Sequence, residues 1–237
     1  METQRIIKVY EERDRYEKGR ELYFGYEDLS HFSRLQSRYR ATFSVLKSNG
    51  FNPLTQRRIL DVGCGDGRML RQFLQWGAQP RNVAGIDLRR DPVEYALTLN
   101  PNVDIRCDSA TEMPWADRSF DLVFQNTVFS SILDEDTRKQ VASEMLRVLK
   151  PGGSIVWYDF WLNPSNKQTR GIRPKEIREL FPGCRFEFHK ITLAPPIGRF
   201  LVPISCGLAT LLEGLRILNT HYLVMISPPN QAAKDMR

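Results

Sequence analysis

The sequence has few cysteines and no long apolar run. Its four cysteines are scattered and none belongs to a Cys-x-x-Cys pair, which argues against a disulfide framework and against a zinc site. The longest uncharged apolar stretch near the end of the chain, residues 200–212, is too short to span a bilayer. No apolar segment follows the charged first residues, so we expect no secretory signal. These absences predict a cytoplasmic protein with reduced thiols.

The net charge of +6 is unevenly distributed along the chain. Residues 31–60 contain six Lys or Arg and no acid, and residues 161–200 contain eight Lys or Arg against three acids. Basic segments of this kind are found in proteins that bind an anionic substrate, a nucleic acid or a phospholipid surface. They are equally typical of solvated lysine and arginine faces, so the charge alone leaves these interpretations open.

From residue 58 onward, short apolar runs alternate with helical patterns, which is typical of a parallel α/β sheet. The pattern predicts strands at 59–62, 83–87, 103–107, 120–126 and 154–160. It predicts intervening helices at 68–76, 92–99 and 135–149. The alternation then breaks, and the remaining pattern predicts helices at 173–181 and 203–217 and strands at 184–193 and 220–227.

The chain therefore divides into three regions. Residues 1–52 form helical segments, and residues 53–160 form an α/β core. Residues 161–237 form an antiparallel edge hairpin with a cap inserted before the last strand. The apolar helix of this cap is interpreted as a buried cover for the sheet edge. The alternative is a surface for a lipid-linked substrate or for peripheral contact with the inner membrane face.

The first predicted strand leads into Ile-Leu-Asp-Val-Gly-Cys-Gly-Asp-Gly at residues 59–67. Glycines at alternate positions allow a tight turn whose backbone can approach a ligand, and the following helix directs free N–H groups at it. Asp87 ends the second strand, where a carboxylate can accept hydrogen bonds from ribose hydroxyls. An adenosine-containing cofactor is indicated. NAD is less favoured, because Arg68 occupies the third glycine position of the dinucleotide motif.

The segments LDVGCGDG, GIDL, CDSATEMPWADRSFDLV and LRVLKPGG resemble class I S-adenosylmethionine-dependent methyltransferases of the small-molecule type, over residues 58–160. The resemblance implies a doubly wound, seven-stranded, mostly parallel Rossmann-like sheet with an N-terminal helical lid. It also implies S-adenosylmethionine as cofactor. Its methionine end would then lie at Asp61 and the turn of Gly63, Cys64 and Gly65.

The same resemblance assigns the rest of the cofactor site. Asp87 would hold the ribose, and Leu88 would lie against the adenine. Asp108 and Ser109 would read the adenine edge. Gln125 and Asn126, at the end of the fourth strand, would lie near the sulfonium.

The predicted reaction is metal-independent methyl transfer, because the residues after the fourth strand include no carboxylate cluster. Two side chains are candidate bases for an alcohol acceptor. Asp159 is either a base or substrate anchor at the end of the fifth strand, or a structural carboxylate. His31 is either a base in the lid or a surface histidine, whereas His189 and His221 lie in edge-strand patterns and are interpreted as structural.

The acceptor-binding candidates are Tyr23, Asn163, Asn166 and Arg170. The segments following residue 157 are similar to bacterial methyltransferases of polysaccharide and glycan-modifying pathways. That likeness implies a small-molecule or glycan-like acceptor that is methylated at a hydroxyl or an amine. A lipid-linked acceptor is one of the forms it allows. RNA methylation and cofactor binding without catalysis remain alternatives, although no nucleic-acid-binding module is apparent.

Overall fold

The computed structural model describes residues 2–18, 28–162, 166 and 168–229. A seven-stranded sheet runs through this part of the chain in the order β3-β2-β1-β4-β5-β7-β6. Its strands are β1 Ile59–Val62, β2 Val83–Asp87, β3 Asp104–Cys107, β4 Phe120–Asn126, β5 Leu149–Phe160, β6 Arg185–Leu193 and β7 Asn219–Ser227. The first five are parallel, and β7 is antiparallel to both β5 and β6. The predicted mostly parallel sheet is confirmed.

Outside the cap, the helices fall close to their predicted positions. They are α1 Glu2–Lys18, α2 Leu29–Ser48, α3 Arg68–Gln75, α4 Arg90–Leu99, α5 Glu135–Val148, α6 Pro174–Leu180, α7 Pro195–Leu201 and α8 Cys206–Gly214. The start of α2 is fixed by Asp28, whose carboxylate accepts hydrogen bonds from the N–H groups of Ser30 and His31. Among the described helices, none has the length and apolar composition that crossing a bilayer requires.

The strand β5 begins earlier than predicted. Phe120 pairs with Leu149 and Leu122 pairs with Ser154, so residues 150–153 form an irregularity in the ladder rather than a turn before the strand. Gly153 permits this path, because a Cβ there would lie 2.8 Å from the carbonyl oxygen of Asp121. The helix before it ends at Val148, one residue earlier than expected.

Both faces of the sheet are covered, which makes the fold doubly wound. On one face, Trp157 packs against Phe129 and Phe181. On the other, Phe73 of α3 packs edge-on against Phe124 of β4. Parallel strands buried on both faces explain why the core strands are almost continuously apolar in sequence.

The cap differs from the prediction of one buried helix over 203–217. It consists of two short helices, because Pro195 begins α7 early and Ser205 caps the separate helix α8 by accepting from the N–H of Leu208. Val202 and Ala209 are buried against Leu193. The outer side of the cap is apolar and exposed, so the interpretation of a buried helix is wrong.

One carboxylate ties the cap to α2 and to the sheet. Oε1 of Glu213 in α8 accepts hydrogen bonds from the Ser37 hydroxyl at 2.6 Å and from the N–H of Thr192 at 2.8 Å. Thr192 has φ +65°, an unusual conformation for a β-branched residue, and its hydroxyl lies 2.9 Å from that of Tyr158. The Glu213 carboxylate therefore connects α2, β6 and α8.

We expect Glu213→Ala to lower the free energy of unfolding by about 2 kcal/mol, because it leaves partly buried donors without an acceptor. Urea unfolding followed by circular dichroism measures this change. Glu94→Ala, which removes an exposed carboxylate from α4, is the matched control and should change stability little. Equal midpoints for the two variants would show that the Glu213 connection contributes nothing.

Candidate functional site

The turn after β1 is bound to the end of β2. The N–H groups of Gly63 and Cys64 both donate to the carbonyl oxygen of Ile86, at 2.8 and 3.0 Å. Gly63 has φ +71°, and a Cβ added there would overlap Cγ2 of Val128 in the loop after β4. Glycine is therefore required at this position for both backbone conformation and space.

Asp87 is held beside this turn by backbone hydrogen bonds. Its Oδ2 accepts from the N–H of Gly65 at 2.9 Å, and its Oδ1 accepts from the N–H of Arg89 at 3.0 Å. The guanidinium of Arg89 lies 4.5 Å from the ring centroid of Tyr10 in α1. The first helix thus extends over the carboxyl end of β2, as a lid would.

Two oppositely charged groups lie at the carboxyl ends of β1 and β4. Asp61 is 2% exposed, and its Oδ1 has no hydrogen-bond partner among the described residues. Burial raises the pKa of Asp61 well above its usual value, and the charge of Arg38 in α2 opposes that rise. Arg38 donates through Nη1 to Oδ1 of Asn126 at 3.1 Å, whereas its buried Nε has no partner in the described part of the chain.

The residues at the carboxyl ends of β3 and β4 lie along the same end of the sheet as Asp61 and Asp87. The N–H of Asp108 donates to the carbonyl oxygen of Asp87 at 3.1 Å, and the carboxylate of Asp108 accepts from the N–H of Ser109 at 2.7 Å. Leu88 packs partly buried against the core. Gln125 is fully buried; its amide donates to the carbonyl of Tyr158 and accepts from the N–H of Val128. This side chain positions the loop after β4, and its contact with a cofactor stays a prediction.

Residues 59–153 match a protein-family model described as a methyltransferase domain. The chain is 32% identical over 104 residues to demethylmenaquinone methyltransferase of Renibacterium salmoninarum, covering 44% of this chain and 41% of that protein. It is 30% identical over 154 residues to 27-O-demethylrifamycin SV methyltransferase of Amycolatopsis mediterranei, covering 62% and 54%. The chain spans about half the length of the curated relatives it matches.

The fold is shared with a solved S-adenosylmethionine-dependent methyltransferase from Archaeoglobus fulgidus, with a TM-score of 0.57 and 15% identity over 81% of this chain and 96% of that one. Residues 59–153 are therefore similar to a methyltransferase domain, and the solved neighbour shares the fold around them. The expected cofactor is therefore S-adenosylmethionine.

The unpartnered groups fit that cofactor. The methionine end of S-adenosylmethionine carries an ammonium and a carboxylate, and the described residues offer a buried carboxylate oxygen on Asp61 and a buried N–H on Arg38. A buried polar atom without a partner is costly, so a zwitterionic ligand end would relieve both. Sequence reasoning missed Arg38, because the resemblance begins only at residue 58; the available signal was the acid-free basic segment of 31–60.

The two candidate bases are both engaged in structural contacts. Asp159 is 1% exposed; its oxygens accept from the N–H groups of Ser130 and Phe160, and burial raises its pKa to about 7. The ring nitrogens of His31 lie 2.8 Å from Nη2 of Arg34 and 3.1 Å from Nη1 of Arg68. Burial, followed by the charges of these two arginines, lowers the pKa of His31 to about 4. A neutral imidazole has one acceptor nitrogen, so His31 can accept from only one of the two guanidinium groups; the tautomer that accepts from Arg68 at Nε2 links α2 to α3.

Two of the four predicted acceptor-binding residues lie in the described part of the chain, and both contact nearby residues. Tyr23 and Asn163 lie outside the described residues. The side chain of Asn166 accepts from the N–H of Gln168, and the guanidinium of Arg170 pairs with Glu176 of α6. Among the described residues, no three His, Cys, Asp or Glu side chains are grouped in a way that could hold a metal ion. Metal independence stays a prediction.

A shallow pocket with a volume of about 30 Å³, open to solvent on one side, lies between α2 and the cap. Its polar wall includes Arg34, Ser33 and Arg199, and its apolar wall includes Pro195 and Val202. Arg34 also contacts His31. The helix α2 therefore contributes both to this pocket and, through Arg38, to the group around Asn126.

His221 is not in an edge strand, as the sequence pattern suggested, because β7 lies between β5 and β6. Its ring stacks on Tyr158 with a centroid separation of 5.0 Å and an interplanar angle of 15°. Burial, with the nearby charges of Arg34 and Arg38, lowers the pKa of His221 to about 3. The structural role predicted for this histidine is consistent with these contacts.

Cofactor binding should depend on Asp87 and Asp61. Isothermal titration calorimetry with S-adenosylhomocysteine should show at least about tenfold weaker binding for Asp87→Ala and for Asp61→Asn, since hydrogen bonds to charged groups contribute about 1.5–3 kcal/mol each. Asp91→Asn, on the exposed start of α4, is the control and should bind as the parent does. Unchanged affinity in Asp87→Ala would refute the assignment of the site.

The stability of the protein should report the burial of His221. Its folded pKa of about 3 lies below the ordinary value of 6.5, so this group contributes stability above pH 6.5 that is lost as the pH falls toward 3. His221→Phe retains a ring against Tyr158 and removes the titration. Between pH 7.5 and about pH 5, the parent should lose about 2 kcal/mol relative to this variant. If the difference in unfolding free energy between the two proteins stayed the same at every pH, the burial of a neutral imidazole would be contradicted.

Proposed function

We propose that this protein transfers the methyl group of S-adenosylmethionine to a hydroxyl or an amine of a small-molecule or glycan-like acceptor, without a metal ion. The observation that carries the proposal is the pair of buried, unpartnered groups on Asp61 and Arg38, beside a glycine turn bound to Asp87. Such a pair suits the amino-acid end of this cofactor. The names of the curated relatives, which refer to menaquinone and rifamycin precursors, support a small-molecule acceptor.

When bound, S-adenosylmethionine supplies a methyl group on a sulfonium, so the protein mainly aligns the reactants and excludes water. Asp61 would pair with the ammonium and Arg38 with the carboxylate of the cofactor. Asp87 would accept hydrogen bonds from the ribose hydroxyls, and Asp108 with Ser109 would contact the adenine edge. The helices α1 and α2 cover this end of the sheet, with Tyr10 over Arg89 and Arg38 on Asn126.

The contacts of Asp159 and His31 support positioning roles in place of the base role expected from the sequence. Both oxygens of Asp159 are used by backbone N–H groups, so the residue holds the loop after β4. His31, with a pKa of about 4, is a weak base near neutral pH. An acceptor that gives up its proton readily, such as an amine or an acidic hydroxyl, requires least assistance from this site.

We propose that one end of the acceptor lies against the shallow pocket between α2 and the cap. Its wall combines two arginines with apolar side chains, which suits a molecule with an anionic or hydroxyl-rich end and an apolar part. RNA methylation is the less favoured alternative, because only the basic segments of the sequence support it. A cofactor-binding protein without catalysis is the second alternative.

Methyl transfer can be tested before the acceptor is known. Purified protein incubated with methyl-labelled S-adenosylmethionine and a small-molecule cell extract should release S-adenosylhomocysteine and label one compound, which mass spectrometry identifies. Asp87→Ala should abolish the signal, because it loses the cofactor. With the compound in hand, Arg34→Gln should raise KM for the acceptor at least about threefold, since a hydrogen bond to a charged group contributes about 1.5–3 kcal/mol when fully formed. Its affinity for S-adenosylhomocysteine should remain unchanged.

The outcomes separate the alternatives. Tight binding of S-adenosylhomocysteine with no product in any extract fraction would favour a non-catalytic binder. Label that appears only in an RNA fraction, with binding that weakens steeply with salt, would favour RNA methylation. Failure to bind the cofactor would remove the proposal altogether.

A further inference from the structure

Exposed apolar side chains are concentrated on the outside of the cap. Seven large apolar residues within 200–218 are between 41% and 76% exposed. We call this set the cap face; its members are Phe200, Ile204, Leu208, Leu211, Leu215, Ile217 and Leu218. Monomeric soluble proteins rarely expose so many large apolar side chains in one short segment unless the surface binds something.

The cap face is not the result of a poorly packed segment. On the inner side, Val202 and Ala209 are buried against Leu193. The Glu213 carboxylate fixes α8 to α2 and to β6. These contacts hold the two short helices in place. Val202 and Ala209 occupy the side that faces Leu193, and the remaining large apolar side chains of the segment are exposed.

The charges around the cap face are positive. Residues 195–218 contain two arginines, Arg199 and Arg216, and a single acid, Glu213. The Glu213 carboxylate is occupied by Ser37 and Thr192. Both arginines are exposed, and neither forms an ion pair with any residue in the described ranges.

We propose that the cap face inserts into the interfacial layer of an anionic phospholipid bilayer. Apolar side chains flanked by cations match such a surface, with the apolar groups at the acyl boundary and the arginines at the headgroup phosphates. A second copy of the chain is a poorer occupant. A two-fold contact through the same face would bring the arginines of one copy toward those of the other, with no uncommitted acid in 195–218 to compensate.

The lipid contact does not depend on methyl transfer. Arg199 also lines the pocket between α2 and the cap, which places that pocket next to the lipid surface. The proposed function together with this lipid contact favours an acceptor that is carried in the lipid. Only this statement about the acceptor rests on the proposed function.

Vesicle co-sedimentation with the purified full chain tests the lipid contact without cofactor or acceptor. The probes are vesicles of phosphatidylcholine alone and vesicles of equal parts phosphatidylcholine and phosphatidylglycerol. The parent should bind the anionic vesicles and bind the neutral ones at least about tenfold more weakly, as expected for headgroup electrostatics. The triple variant Phe200→Ser, Ile204→Ser, Leu211→Ser should lose at least about tenfold in binding to the anionic vesicles.

Two further variants isolate the causes. Arg199→Gln with Arg216→Gln should weaken binding and remove most of its salt dependence. Tyr95→Ser with Leu99→Ser, which removes exposed apolar residues from α4, is the matched control and should bind as the parent does. Circular dichroism and calorimetric binding of S-adenosylhomocysteine check that the triple variant is folded.

Three results would overturn the proposal. The first is a parent protein that anionic vesicles do not retain, and the second is a triple variant that binds them as the parent does. The third is a dimer, seen by sedimentation velocity without lipid, that the triple variant converts to a monomer; a second copy would then cover the cap face.

Discussion

The close approach of three loops at the carboxyl edge of the sheet is the constraint on which the site depends. The turn after β1 donates to the Ile86 carbonyl and to Asp87, and Gly63 leaves room for Val128 of the loop after β4. The carboxyl ends of β1, β2 and β4 are thereby brought together at the point where the strand order reverses, which is where open α/β sheets bind ligands. A side chain at Gly63 would separate these loops and disperse the groups around them.

The N-terminal helices add side chains to the carboxyl end of the sheet. The sheet alone supplies Asp61, a buried carboxylate whose ionised form is disfavoured by burial. The helix α2 brings the cation of Arg38 to Asn126 at the end of β4, where its charge opposes the rise in the pKa of Asp61, and α1 brings Tyr10 over Arg89. The helix α2 is also bound to the cap through Ser37 and Glu213. The proposed cofactor site and the cap therefore share one element, α2.

The methyltransferase match and the pocket lie in different parts of the chain. The match covers residues 59–153, whereas every residue that lines the pocket between α2 and the cap lies on one side or the other of that range. The apolar cap face also lies outside the matched residues.

Local sequence determined the sheet strands and the glycine turn. The bounds of β1, β2 and β4 were predictable because each is a short apolar run ended by glycine or a polar residue, and Asp87 was identifiable from its position at a strand end. The early start of β5 was not predictable, since Lys-Pro-Gly-Gly favours a turn and only pairing with β4 draws it into the ladder. The tertiary structure alone decided that Arg38 contacts Asn126 near Asp61, that Asp159 and His31 are occupied by other groups, and that the cap helices expose their apolar side. Each of these depends on contacts between residues far apart in the chain, for which local patterns carry no information.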